Sequence, residues 1–378
     1  MPAFLLEYLP AIAAVLIGAC AGSFLNVCIY RLPRDLSVRQ PARSFCPSCR
    51  TSLPWYCNIP VVSWLLLRGR CAHCSARISI RYPVVELTTA LLFLALWQRD
   101  RPDWVLALAH AVFVSLCLAA AWIDWEHLII PDEINYTGVV LGFLAAAAAP
   151  SLFGVERIFH SLGQSAYGAF LGFGLIWLVI LAGKLAFGRA QLKFDALEEW
   201  DIAQPDPENE PRLRVAGHDY CWSDMFCRPG VDRLRIRGPW FAVDGERHEL
   251  GGELVVTMTG YRAGDLGGNL EGVERLEGEA EKIVIPREAM GLGDAKFMAM
   301  TGAFLGWKGV LFGIFGGSIL ATAVWIVCWL AGRVERSRQI PFGPYLAAAA
   351  VLWVFAGPEL LRAYAGMTGG MVRELLLR

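Results

Sequence analysis

Apolar residues run through this chain in eight long stretches, at 8–30, 83–98, 104–123, 134–149, 163–187, 295–307, 310–331 and 342–355. A helix crosses a bilayer with about 20 mostly apolar residues, so the pattern predicts an all-α polytopic membrane protein with about eight transmembrane helices. The stretch at 295–307 is short for a span and must tilt or lean on its neighbours. Two polar regions break the pattern. The first, 31–82, follows the first span. The second, 189–287, splits the membrane body, and its alternating or β-branched runs at 233–237, 253–259 and 282–285, separated by Gly and Asp, predict an inserted β-rich domain. Its opening, FDALEEWDIAQPDPENEP, is acidic with three prolines and reads as a short helix followed by a linker. The chain thus divides into a first transmembrane helix (1–30), a small loop domain (31–82), transmembrane helices 2–5 (83–188), the insertion (189–287) and transmembrane helices 6–8 (288–378).

Composition agrees: 56% of residues are hydrophobic and 18% charged over 378 residues, too apolar for a soluble globule of this size. The only early charge is Glu7, so the first span lacks the basic start of a secretory signal and is expected to be retained. Charge distribution orients the helices. Between 31 and 81 there are nine arginines and one acid, Asp35, which places that loop in the cytoplasm by the positive-inside rule. Counting spans then puts the 125–133 loop, the insertion and the Arg333, Arg336 and Arg338 cluster on the same side. Residues 190–290 hold 21 acids against 12 bases, which argues against nucleic acid as a partner.

Within the first loop, Cys46-Pro-Ser-Cys49 and Cys71-Ala-His-Cys74 form two C-x-x-C turns with 21 residues between them. Such a pair is the pattern of a four-cysteine structural zinc site, and a cytoplasmic loop disfavours disulfides. A redox pair is the lesser alternative, and Cys57 and His73 are nearby substitutes as ligands. Cys20, Cys28, Cys117 and Cys328 lie in apolar spans and read as small core residues. Cys221 and Cys227 have a poor chelating spacing.

Two acids stand at span ends. Asp124 closes the third span in AWIDWEHLIIPDEI, and Asp294 opens the sixth in MGLGDAKFM, where Gly291 and Gly293 loosen the backbone just before it. A solvated span end, or a helix cap for Asp294, explains either acid alone. Brought together in a partly dry cavity, they form an aspartyl dyad in which one carboxylate activates water and the other, protonated, polarises a scissile carbonyl. Asp132, after Pro131, is the chief competitor for the first acid, though it reads as a helix-start residue.

Taken in order, GSFLNVCIYRLP (22–33), CPSC (46–49), NIPVVSWLLLRGRCAHC (58–74), RYPVVELTT (81–89), IDWEHLIIPD (123–132), GLGDAKFMA (291–299) and IPFGPYLA (340–347) resemble segments of the prepilin peptidases, also called type IV leader peptidases. The resemblance covers most of the chain outside the insertion. It implies that Asp124 and Asp294 are the catalytic pair, the latter in a GxGD motif shared with presenilin-like intramembrane proteases. It also implies that Cys46, Cys49, Cys71 and Cys74 form the cytoplasmic metal knuckles, and that Asn26, Glu86 and Lys296 are polar positions close to the active region. The implied activity is cleavage of the basic leader of type IV prepilins or type II secretion pseudopilins, at the cytoplasmic face of a bacterial inner membrane. Methylation of the new N-terminus from S-adenosylmethionine follows by the same resemblance; no adenosyl-binding fingerprint stands out, and the residues that would hold the donor are not assigned. The long acidic insertion departs from the family pattern and reads as a regulatory or docking domain. The rival readings are an ion- or proton-coupled membrane carrier and a non-catalytic secretion-system scaffold.

Overall fold

The computed structural model describes residues 3–34, 36–41, 43–187, 190–203, 210–226, 232–285, 291–332 and 341–367. The Arg333, Arg336 and Arg338 cluster lies outside them, as do Cys227 and the side chain of Cys221. By its contacts the chain forms two units, Met1–Leu178 with Gly291–Arg378, and Val179–Met290.

The first unit opens with helix α1 (Ala3–Arg31), after which the cysteine loop carries one short helix, α2 (Val62–Leu66). Helices α3 (Arg81–Asp100), α4 (Trp104–His127) and α5 (Asp132–Ala148) follow, then α6 (Ile158–Phe187), whose residues from Val179 on belong to the second unit. Four helices among the described residues are long and apolar enough to cross a membrane: Tyr8–Arg34, Trp104–His127, Ile158–Gly183 and Leu292–Leu330. Their surfaces are those of lipid-facing helices, with Leu16, Ile17, Phe24, Phe159, Phe170 and Ile319 all exposed.

The second unit is an antiparallel sheet. Its strands are β1 (Ala190–Ala203), β2 (Arg212–Val215), β3 (His218–Cys221), β4 (Leu234–Arg237), β5 (Trp240–Val243), β6 (Glu246–Glu249), β7 (Glu253–Val256), β8 (Gly260–Ala263), β9 (Leu266–Asn269) and β10 (Arg275–Ile285), with one helical turn, α7 (Trp222–Met225), after β3. The order is β3-β2-β1-β10-β4-β7-β8-β9, with β5 on the other half of β10's edge and β6 on β5. Residues alternate between core and solvent along β2, β4, β7 and β10, and Trp200, Leu213, Ile236, Leu254, Leu276 and Ile283 fill the core. The opening of the insertion is therefore strand, not the expected short helix. Trp200 and Ile202 both face the core from β1, and pairing with β10 from Ala190↔Ile285 to Ala203↔Arg275 overrides the helix-favouring acidic run. The register shift between Lys193 and Glu198 marks the irregularity where that run sits.

The first unit resumes with α8 (Leu292–Leu330) and α9 (Gly343–Met367). Gly306, at φ 66° and ψ −174°, breaks α8 near the end of the first of the two stretches that hydropathy separates as 295–307 and 310–331. In this unit α1 packs on α3, α5 on α8, and α9 on both α4 and α8. The small residues of α1 are what let it approach: a Cβ on Gly18 would stand 2.8 Å from the Ala90 Cα, and one on Gly22 2.7 Å from the Glu86 Cα. The contact of α6 with α8 is tighter still. A Cβ on Gly302 would stand 2.0 Å from the Gly168 carbonyl oxygen.

Because that obstacle is backbone, Gly302→Val should destabilise the membrane unit by more than the ~1–3 kcal/mol of ordinary overpacking. Thermal unfolding in detergent checks this against Gly174→Ala, where a Cβ meets nothing within 4 Å and the midpoint should hold or rise slightly.

Candidate active site and metal centre

Helix α4 ends at His127, where Leu128 takes a left-handed conformation (φ 56°) and its N–H bonds the Asp124 carbonyl at 2.9 Å. Asp124 thus sits on the last turn and is 6% exposed. Its Oδ2 accepts a 2.9 Å hydrogen bond from the amide of Gly343, 219 residues away, at the first residue of α9. That amide is one of the donors a helix start leaves unpaired, and Pro344 behind it has none to offer. Asp294 lies in the first turn of α8, two residues after the helix begins at Leu292, so Gly291 and not Asp294 is the capping residue. The Gly291 amide bonds back to the Asp294 carboxyl, as an acid at the third helical position does. Gly343, which bonds Asp124, and Gly293, the residue before Asp294, both lie against Ile130. Ile130 fills the space beside them, 3.4 Å from where a Gly293 Cβ would be and 3.0 Å from where a Gly343 Cβ would be. Three helix ends therefore converge on two acids and one aliphatic side chain.

Asp132 is the first residue of α5 and more than half exposed, and the Lys296 ammonium bonds both of its oxygens, at 2.6 and 2.7 Å. Lys296 also lies 5.2 Å from the centre of the Tyr136 ring. This pair is complete in itself. Asn26 and Glu86 do not meet the aspartates. Glu86 accepts a 2.7 Å bond from the Val61 amide, anchoring a β-branched residue held at φ 62°. Asn26 donates from Nδ2 to the carbonyls of Gly22 (3.3 Å) and Tyr82 (3.1 Å). Both line a separate cavity of about 390 Å³ among α1, α3 and the cysteine loop, whose walls include neither Asp124 nor Asp294.

The four cysteines do come together. All four Sγ atoms lie within 4.8 Å of one another, and Cys46 and Cys74 are 3.8 Å apart. A disulfide needs about 2.05 Å, whereas the edge of a tetrahedron with ~2.3 Å zinc–sulfur bonds is about 3.8 Å. The turns repeat each other. Arg50 and Ser75, each directly after a second cysteine, have φ of 55° and 58°, and each donates its N–H to the first cysteine's carbonyl, at 2.8 and 3.0 Å. The amides of Cys74 and His73 point at the Cys71 sulfur and hold its thiol below the usual range, which favours the thiolate ligand. Neither Cys57 nor His73 belongs to the cluster.

Sequence reasoning missed the Gly343 amide, Ile130 and the ion pair of Arg81 with Glu126. Gly343 lay inside the quoted IPFGPYLA segment, but nothing in its spacing signals a contact with Asp124.

Comparison with known proteins gives the family. Residues 16–99 match the model of the Bacterial Peptidase A24 N-terminal domain, and 111–194 with 254–326 match that of the Type IV leader peptidase family. A prepilin leader peptidase/N-methyltransferase from Pectobacterium carotovorum is 32% identical over 260 residues, 61% of this chain and 88% of that protein. The chain belongs to the type IV leader peptidase family. The proteins of the same name from Aeromonas hydrophila and Myxococcus xanthus are 26% identical over 366 residues (91% of this chain, 89% of that protein) and 40% identical over 196 (48% and 58%). The chain thus spans little more than half the length of the Myxococcus relative. The leader peptidase match skips 195–253, inside the β unit. No solved structure matches the chain.

The geometry of the cysteine cluster predicts one bound metal ion per chain, measured by elemental analysis of protein purified without added metal. Cys46→Ser or Cys74→Ser should reduce it to well under half an equivalent, since each removes one of four ligands.

Proposed function

We propose that this chain is a bacterial inner-membrane leader peptidase that cuts the basic leader from prepilins or pseudopilins at the cytoplasmic face and then N-methylates the new terminus. The observation that carries it is the convergence of Asp124 and Asp294 on Ile130 from the ends of separate helices. Family membership and the names of the relatives support the same reading. A prepilin offers a cationic leader and an apolar helix, so its scissile bond belongs where apolar helices end and polar chain begins. Both aspartates lie at such ends.

In the mechanism, one carboxylate takes a proton from water as the other, protonated, donates to the scissile carbonyl; the attacking water adds to carbon and the proton passes to the leaving amine. The Gly343 amide holds Asp124 in one orientation, and Ile130 keeps part of the space around the pair apolar. Like charges so close titrate as a unit, so cleavage follows a bell-shaped pH profile whose two limbs belong to the pair. Lys296 and Asp132 brace α8 against α5 beside the site. Cys46, Cys49, Cys71 and Cys74 would hold a zinc ion, which would supply the core that the 31–82 domain lacks. About eight spans flank it, with the 189–287 domain as a docking or regulatory element that takes no part in the chemistry.

Purified protein is incubated with a prepilin-like peptide and the products weighed. Leader loss and, with S-adenosylmethionine, one further methyl are expected. Asp124→Asn or Asp294→Asn should reduce cleavage by at least 10³-fold, by loss of general acid–base chemistry, with folding intact; a carrier or scaffold would show no cleavage to lose. Gly343→Ala, whose Cβ would sit 2.7 Å from Asp124 Oδ2, should lower the rate roughly tenfold to a hundredfold by displacing that carboxyl.

Since β1 and β10 pair at Ala190↔Ile285, residues 190–285 enter and leave at neighbouring points. Replacing them with a short Gly/Ser link should keep cleavage within about threefold, within the tolerance expected of an excision at adjacent ends; complete loss with normal membrane insertion would refute a purely accessory role.

A further inference from the structure

Resting on the reading of α1 as a bilayer span, we infer that the cysteine loop is a lipid-docking element whose segment 55–66 dips into the cytoplasmic leaflet beside α1 and α3. Depth follows from where that segment is tied down. The Val61 amide, directly before α2, bonds Glu86 of α3 at 2.7 Å. Glu86 is level with Gly22 of α1, since a Cβ on Gly22 would stand 2.7 Å from the Glu86 Cα. Gly22 lies nine residues before α1 ends at Arg31, ~13 Å down the helix at 1.5 Å per residue. Side chains of a helix lean toward its start, so the Glu86 carboxylate regains part of that depth, yet Val61 stays more than a turn below the end of α1. A second contact agrees: Asn58 and Pro60 line one cavity with Cys20, Ser23 and Phe24 of α1. At that depth α1 and α3 expose Phe24, Val84 and Leu87, so the segment is continuous with their lipid-facing surface.

Helix α2 has two sides. Trp64 turns inward, its indole N–H bonding the Ile78 carbonyl at 3.2 Å. Val62, Leu65 and Leu66, three and four residues apart and so on one face, are left bare, Leu66 at 78% exposure. Trp55, 80% exposed, and Tyr56 stand in the turn before it, and such rings collect at membrane interfaces. The backbone is ready for lipid, which leaves no water to satisfy it. The amides of Ser63, Leu65 and Leu67 donate to the carbonyls of Ile59, Val61 and Ser63 at 3.1, 3.1 and 3.0 Å. The rest of the loop supplies charge. Arg39, Arg43, Arg50, Arg68, Arg70 and Arg77 are all exposed, and none forms an ion pair among the described residues. An apolar helix face beside unpaired guanidinium groups matches a leaflet with anionic headgroups. A second copy of this chain would bring the same cations against these, and a prepilin's basic leader would be repelled by them.

Full-length protein carrying photoreactive p-benzoylphenylalanine in place of Trp55, Leu65 or Leu66 is reconstituted in vesicles of phosphatidylethanolamine and phosphatidylglycerol. It is irradiated, and the adducts are identified by mass. Phe24 and Leu91, exposed on α1 and α3, serve as lipid-facing references, and Leu266, exposed in the β unit, as an apolar reference outside the bilayer. Lipid adducts at Leu65 and Leu66 should come within about threefold of the Phe24 yield and exceed the Leu266 yield about tenfold, as for an interfacial helix. Replacing phosphatidylglycerol with phosphatidylcholine should lower the loop yields severalfold and leave Phe24 unchanged; equal loop yields would remove the arginines from the docking. Adducts to a second protein chain overturn the inference in favour of a dimer face. Loop yields no higher than that of Leu266, with Phe24 and Leu91 labelled by lipid, overturn it and leave the membrane body and the proposed function standing. Absence of lipid adducts at Phe24 and Leu91 as well overturns the reading of α1 as a span.

Discussion

The hydrogen bond from the Gly343 amide to Asp124 is the contact that joins the end of one helix to the start of another across 219 residues. Apolar surroundings leave no water to satisfy backbone donors, so a helix that begins inside them needs a partner for its first amides. Helix α9 begins with Gly-Pro, and the Asp124 carboxylate answers the one amide that this start presents. That ties the end of α4 to the start of α9 and fixes the acid where Asp294, at the start of α8, meets it. A side chain at 343 would crowd that carboxylate, since a Cβ there would stand 2.7 Å from Asp124 Oδ2. The site is therefore assembled from helix ends, where a membrane protein can afford polar groups at all.

The cysteine loop solves a different problem. It is short and apolar residues such as Trp55, Leu65 and Leu66 remain exposed, so it lacks the burial to fold by itself. Two equivalent turns bring four sulfurs to tetrahedral spacing, and the Glu86 carboxylate pins the strained Val61 to α3. These two devices join the loop to the membrane helices and leave between them the cavity that Asn26 faces. Asn26 and Glu86 thus hold the loop to α1 and α3.

The β unit is self-sufficient, with a continuous core of its own from Trp200 to Ile285. Its first and last strands are neighbours, which is why a chain can carry it in the middle of a membrane domain.

Hydropathy alone made the apolar helices legible, because lipid leaves a helix no other way to satisfy its backbone. The C-x-x-C turns were equally plain, since chelation needs short spacing, whereas the two acids stood out only as candidates, because a solvated span end accounts for either one alone. Local pattern failed where a distant partner decided: the acidic run before Trp200 became strand because β10 lay beside it. The partners of Glu86 and Asn26, the Val61 amide and the Tyr82 carbonyl, likewise carry no signal in spacing. The contact of Asp124 with an amide 219 residues on belongs to the same class. Spacing along a chain records which groups are near in one element; which elements meet, and therefore which polar atoms are satisfied and which are left facing a cavity, follows from packing that no single stretch of residues encodes.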